Sequence, residues 1–192
     1  VQLEDGTELA AEVILSGADP AHTFLDLLPD VALPEDFQRD IEAFDFRSPV
    51  IKVNLALSRL PRFLGAADGT PKPEHSATIH VGARDLDELD QSFAQASHGE
   101  LPERPMVELT IPSVLDDSLA PEGQHVASLF VQHAPADGPW DEWRDVIADR
   151  ASAMIDEVAP GFSDSVLHRE VLAPPALELS LIHLSAPPRP ER

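Results

Sequence analysis

Apolar residues recur along this chain with two different periods, and the periods take turns. From Val50 to Leu57 the run Val50-Ile51-Lys52-Val53-Asn54-Leu55-Ala56-Leu57 alternates and is rich in β-branched residues. That predicts a strand with Ile51, Val53, Leu55 and Leu57 on one face and Lys52 and Asn54 on the other. Ala77 to Gly82, Met106 to Ile111, His125 to His133 and Ser165 to Leu172 read as further strands. Helical spacing links Phe37, Ile41 and Phe44 between Pro34 and Phe46, and links Leu86, Leu89 and Phe93. The longest helix begins near Pro139 and carries Trp143, Ile147, Ala151, Met154, Ile155 and Val158 as a core stripe. Asp141, Glu142 and Asp145 suit the positive end of its dipole, and Pro160-Gly161 ends it.

The opening residues predict a β-hairpin. Val1 and Leu3 alternate with polar neighbours, Asp5-Gly6 supplies the turn, and Leu9, Ala11, Val13 and Leu15 resume the alternation. Thr23 to Leu28 forms a short helical segment closed by Pro29. Three parts are expected: residues 1–20 as the edge of one domain, 21–175 as the main domain, and 176–192 as an irregular tail where the pattern degrades. The element order α, β, β, α, β, β, α, β predicts an α+β or α/β fold, a mixed sheet with helices on it and some antiparallel pairing.

Composition narrows the function classes. The balance of 43% hydrophobic and 25% charged residues over 192 positions is that of a soluble globular chain with one main core. A net charge of −22, with only two lysines, Lys52 and Lys72, repels nucleic acid and anionic lipid. The absence of cysteine removes disulfides, thiolate nucleophiles and Cys-ligated zinc. No stretch approaches the about 18 apolar residues of a membrane span, and Val1 opens without a basic or apolar leader. These features lead us to expect an internal segment of a longer cytoplasmic protein.

Chemistry motifs are mostly missing. No pair of the nine glycines is spaced G-x-G, and neither lysine follows a glycine, so the dinucleotide fingerprint and the P-loop are both absent. The eight histidines form no H-x-x-x-H pair, and no metal site is expected. Asp85-Leu86-Asp87-Glu88-Leu89-Asp90 has Asp90 where a calcium loop needs glycine and Ala96 where it needs glutamate, which leaves an acidic helix start. Trp140 and Trp143 read as packing anchors. Lys52 stands apart, because a lysine inside an apolar strand needs either a route to water or a polar cavity.

Four stretches together carry a resemblance. Val13-Ile14-Leu15-Ser16-Gly17-Ala18-Asp19-Pro20, Ser48-Pro49-Val50-Ile51-Lys52-Val53-Asn54, Leu119-Ala120-Pro121-Glu122-Gly123-Gln124-His125-Val126 and Ala159-Pro160-Gly161-Phe162 resemble, in this order, the phytoene-desaturase-like branch of the flavin amine oxidase superfamily. The resemblance implies an FAD-dependent oxidoreductase with a Rossmann-type FAD domain and an inserted substrate domain whose mixed sheet roofs the flavin. This chain would correspond to the insertion, preceded by the last strands of the first FAD-domain portion. Lys52 would then hold a water near flavin N5, with Asn54 as its neighbour in the substrate cavity. The resemblance further implies that the cofactor-binding residues, the remaining FAD-domain portions and a small apolar substrate all lie outside the segment, which alone would be inactive. From about Leu177 the family's Gly-rich continuation is not followed. An acidic non-catalytic interaction module is the rival expectation. A hydrolase ranks last for want of a nucleophile and base.

Overall fold

The alternation of Val50–Leu57 becomes the second-from-edge strand of a five-stranded sheet in a computed structural model of the chain, which describes residues 1–3, 5–28, 33–44, 50–65 and 73–177. Pro29, Phe46, Ser48, Pro49, Lys72 and the tail beyond Leu177 lie outside the described residues. The chain divides into two units, Val1–Arg47 and Ser48–Arg192.

In the second unit the strands are β1 (Val50–Leu57), β2 (Ile79–Val81), β3 (Met106–Thr110), β4 (His125–Gln132) and β5 (Val166–Leu172). Their spatial order is β2-β3-β4-β1-β5, and every neighbouring pair is antiparallel. The α+β class therefore holds, but the expected mixed sheet does not. The reason is a crossover that spans two positions instead of one. β4 returns to β5 through a long helix, and β1 fills the slot between them, antiparallel to both. β4 and β5 run the same way without ever bonding to each other, so no parallel ladder forms.

The long helix Trp140–Val158 backs this sheet. α2 (Leu86–Ser97) and α3 (Trp140–Val158) follow the α1 helix of the first unit, Glu35–Ala43. Ile51, Val53, Leu55 and Leu57 are almost completely buried, as are Val107, Leu109, Ala127, Leu129 and Val131, and they share one cluster with Ile147, Ala151, Met154 and Ile155 of α3. The expected stripe on α3 is correct except at its last member, Val158, which is 37% exposed. Trp140 is buried and meets the Trp143 ring edge-on at 5.5 Å. Gly138 permits this close approach, since a Cβ there would lie 2.2 Å from Trp143 Cζ3. On the last turn, the Ala159 N–H donates to the Ile155 carbonyl before Pro160-Gly161 breaks the helix.

Charged side chains fix the helices in place. Arg104 forks onto Glu157 of α3 at 2.8 and 3.0 Å and lies 3.8 Å from Glu88 of α2, tying the two helices together. Arg169 of β5 donates to Asp145 and Asp149 of α3, and Arg150 donates to the Leu101 and Pro102 carbonyls. α2 departs from expectation. Leu86 and Phe93, two of its three apolar markers, are 77% and 61% exposed, and its one buried residue is Ser92. Ser92 lies 3.2 Å from His133 Nδ1 and the Phe93 ring meets the His133 ring edge-on at 5.8 Å, so this helix is held at His133 by a polar and an aromatic contact rather than by a buried apolar stripe.

The first unit is sparse. Its turn at Asp5-Gly6 forms as expected, with the Thr7 N–H on Asp5 Oδ1 and a single bridge between Gln2 and Glu8. The second strand does not continue to Leu15. Ala10 to Leu15 have no strand partner among the described residues, and Val13 and Leu15 are 76% and 92% exposed. Alternation alone cannot hold a strand whose ladder bonds have nowhere to go. Phe24, in the π-type turn His22–Asp26, packs edge-on at 5.0 Å against Phe37 of α1.

The two-faced sheet makes a stability prediction. Leu129 points into the core and its neighbour Phe130, 41% exposed, points away. Leu129→Ala should cost the second unit about 2–5 kcal/mol, and Phe130→Ala about 1 kcal/mol or less, read from denaturant midpoints. Equal losses would mean that both faces are packed and would contradict the description above.

Candidate functional site

Because side chains alternate across a strand, burying one face of the sheet turns the other set outward. That second face carries Val50, Lys52, Asn54 and Ala56 of β1, Val126, Ser128, Phe130 and Gln132 of β4, Met106, Glu108 and Thr110 of β3, and His168, Glu170 and Leu172 of β5. Not one of them is buried. Lys52 and Asn54 are thus brought together on an open surface, Lys52 exposed and Asn54 half-buried.

The registers define who surrounds them. One cross-strand row runs Glu108, Phe130, Lys52, Leu172, so the ammonium rises between an aromatic ring and a leucine. The next row runs Thr110, Ser128, Asn54, Glu170, and the Asn54 Nδ2 donates to Glu170 Oε2 at 3.1 Å. Glu108 accepts a hydrogen bond from Gln132 Nε2 and lies 4.0 Å from His80 Nδ1. No ion pair engages Lys52 among the described residues. Chemically, the face offers one ammonium donor, two amides, an imidazole and two carboxylates on a partly apolar floor. It can orient a ligand and exchange hydrogen bonds with it.

Other clusters are structural. His75 is buried, with Nε2 2.9 Å from the Pro61 carbonyl and its ring against Phe63. Ser113 Oγ lies 3.3 Å from His125 Nδ1 but also accepts the Val126 N–H at 3.0 Å and is itself buried, so it serves the backbone. A groove of about 500 Å³ between α3 and β5 is lined by Asp149, Ser152 and Arg169, and Arg169 is already engaged by Asp149. Among the described residues no group of three or more acidic or histidine side chains could hold a metal ion, and no helix is long and apolar enough to cross a membrane.

Sequence reasoning put Lys52 and Asn54 on the outward face, as the register has them, but did not single out their neighbours Phe130, Leu172 and Glu170. Those three come from strands about 80 to 120 positions away, and only the register reveals them.

In sequence, the chain resembles one segment of proteins named for an oxidoreductase domain or as prolycopene isomerases. No family model matches the chain. Over 186 residues, 93% of its length, it is 44% identical to pyridine nucleotide-disulfide oxidoreductase domain-containing protein 2 of Mus musculus, of which it covers 32%. It is 27% identical over 181 residues to the chloroplastic prolycopene isomerase of Daucus carota and 28% identical over 181 residues to that of Arabidopsis thaliana, covering 26% and 27% of them. The chain is homologous to one segment of these larger proteins and spans about a third or less of their length.

Two histidines and a glutamate give the fold a pH signature. Burial holds His133 below the ordinary imidazole value of 6.5, and burial together with nearby His75 does the same to His125. The Arg84 side-chain and backbone donors hold Glu88 at about 2. As pH falls below about 6.5 the unfolded imidazoles take up protons that the folded ones refuse, and below about 4.5 the unfolded carboxyl does the same. Stability should therefore be greatest above pH 6.5 and decline in two stages with acid. His125→Gln combined with His133→Asn, which tolerates a positive φ, should abolish the upper stage in denaturant melts run across the range. An unaltered upper stage in that variant would assign it to other groups.

Proposed function

We propose that this segment is the substrate domain of an FAD-dependent oxidoreductase, and that its bare sheet face covers the flavin and an apolar substrate. The observation that carries the reading is the placement of Lys52. The ammonium stands on the bare face, unpaired among the described residues, between Phe130 and Leu172.

The residues present fit a covering role rather than a gripping one. The chain has no G-x-G turn to cradle a pyrophosphate, so on this reading the dinucleotide is held by other portions of the polypeptide. Bound flavin would supply the hydride-accepting chemistry. Lys52 Nζ, with three donors and no acceptor, would hold a water or a carbonyl oxygen in place beneath the face. Phe130 and Leu172 would exclude bulk water around that ammonium and give an apolar substrate its contact surface. An apolar substrate suits this floor, and relatives named prolycopene isomerase support the choice.

The test uses the longer polypeptide that carries this segment. It should purify with flavin absorbance near about 450 nm, and the isolated segment should not. Lys52→Met in the longer form should retain flavin and slow either its reduction or its reoxidation about tenfold or more, as loss of a positioned donor does. Unchanged rates in both half-reactions would remove the role given to Lys52. A longer polypeptide that folds without flavin would remove the flavin reading itself.

A further inference from the structure

Asn54 is the single asparagine in 192 residues, and Lys52 is one of two lysines. β1 holds both on the bare face two residues apart, about 7 Å along the strand. The pair is therefore a concentrated donor and amide in a chain that almost never uses either residue. What the pair offers a ligand depends on which end of the Asn54 amide faces outward.

Glu170 decides that. Its carboxylate oxygen Oε2 lies 3.1 Å from Asn54 Nδ2, and a carboxylate has no proton to give, so only the amide nitrogen can face it. The carbonyl Oδ1 is then the end left for a ligand. No ion pair takes Glu170 toward Lys52 among the described residues, although Lys52 lies diagonally across the same strand pair. The carboxylate is spent on the amide.

We propose that Glu170 is a positioning residue of the Lys52 site, acting through Asn54. It holds the amide so that the face presents a donor, Lys52 Nζ, beside an acceptor, Asn54 Oδ1. The matching ligand carries a hydrogen-bond acceptor next to an N–H or O–H donor on a flat or apolar body. Without Glu170 the amide can turn over and set two N–H donors beside the ammonium, a pattern that rejects the same ligand. This inference rests on the flavin reading above for its ligand, but its geometry can be tested without any.

Because Asn54 is alone of its kind, labelling the chain with 15N-asparagine yields one side-chain amide signal. In the 192-residue chain that signal should sit away from the free-amide position and exchange slowly with water, and both Glu170→Ala and Glu170→Gln should move it, Ala to the free position. A signal already at the free position, or one that neither variant moves, overturns the proposal. In the flavin-loaded longer polypeptide, Asn54→Ala and Glu170→Ala should lower the rate at which dioxygen reoxidises dithionite-reduced flavin by the same factor, about threefold to tenfold, with Glu170→Asp restoring part of it. An effect of Asn54→Ala that Glu170→Ala does not reproduce overturns the positioning role while leaving the flavin reading intact. If the amide signal behaves as expected but Lys52→Met and Asn54→Ala both leave flavin reoxidation unchanged, the orientation of Asn54 stands and the role of the pair beside the flavin falls.

Discussion

The structure depends on one constraint, the two-residue period of β1. Ile51, Val53, Leu55 and Leu57 are sealed beneath α3, and a strand that commits those four to a core has no freedom left in Lys52 and Asn54. A slip of one residue would bury an ammonium without a counter-ion, at a cost of several kcal/mol. The apolar set thus fixes the register, and the register places Lys52 and Asn54 on the outward face. β4 and β5 add to this because each pairs with β1 along its length, so Phe130, Leu172 and Glu170 take their positions from the same ladder.

Scarcity of cations shapes the rest of the domain. With 35 acids against 13 basic residues, most carboxylates have no partner available, and two of the arginines are used to tie elements together. Arg104 joins α2 to α3, and Arg169 joins β5 to α3. These pairs are partly exposed and each is worth little alone. Their effect is orientation: they hold α3 over the apolar face from both ends of the sheet, and leave the opposite face with a single lysine.

How far the sequence could be read follows from the range of the interactions. The strand β1, its inward residues and the outward pair were legible because alternation is a local signal carried by eight consecutive positions. The core stripe of α3 was legible for the same reason, and failed only at Val158, which is 37% exposed while its neighbour Ala159 is the buried residue. Some antiparallel pairing was legible, but that the sheet is antiparallel throughout was not, because it turns on β1 occupying the gap between β4 and β5, a fact of topology that no window of residues contains. The second strand of the opening hairpin failed differently. Its alternation is genuine, yet Val13 and Leu15 have no ladder to join among the described residues, and pattern without a partner does not make a strand. Glu170 was hidden because one acid among thirty-five carries no signal until the register sets it opposite Asn54.

The bare face and the misplaced apolar residues of α2 point to the same physics. Phe130 on the sheet and Leu86 and Phe93 on α2 are large apolar groups left in contact with water, while the interior of α2 is given to Ser92 and its contact with His133. His133 is also the one described residue other than glycine with a positive φ, at 61°, a conformation that costs free energy unless surrounding contacts enforce it. A domain that had only itself to satisfy would gain by exchanging these arrangements, turning Phe93 inward and relaxing the end of β4. The balance changes if the outward groups are themselves contact surface in a longer polypeptide, as the proposed covering role requires. Burying Phe130 and Leu172 against flavin and substrate would then return, through association, the apolar stabilisation that folding alone leaves unused.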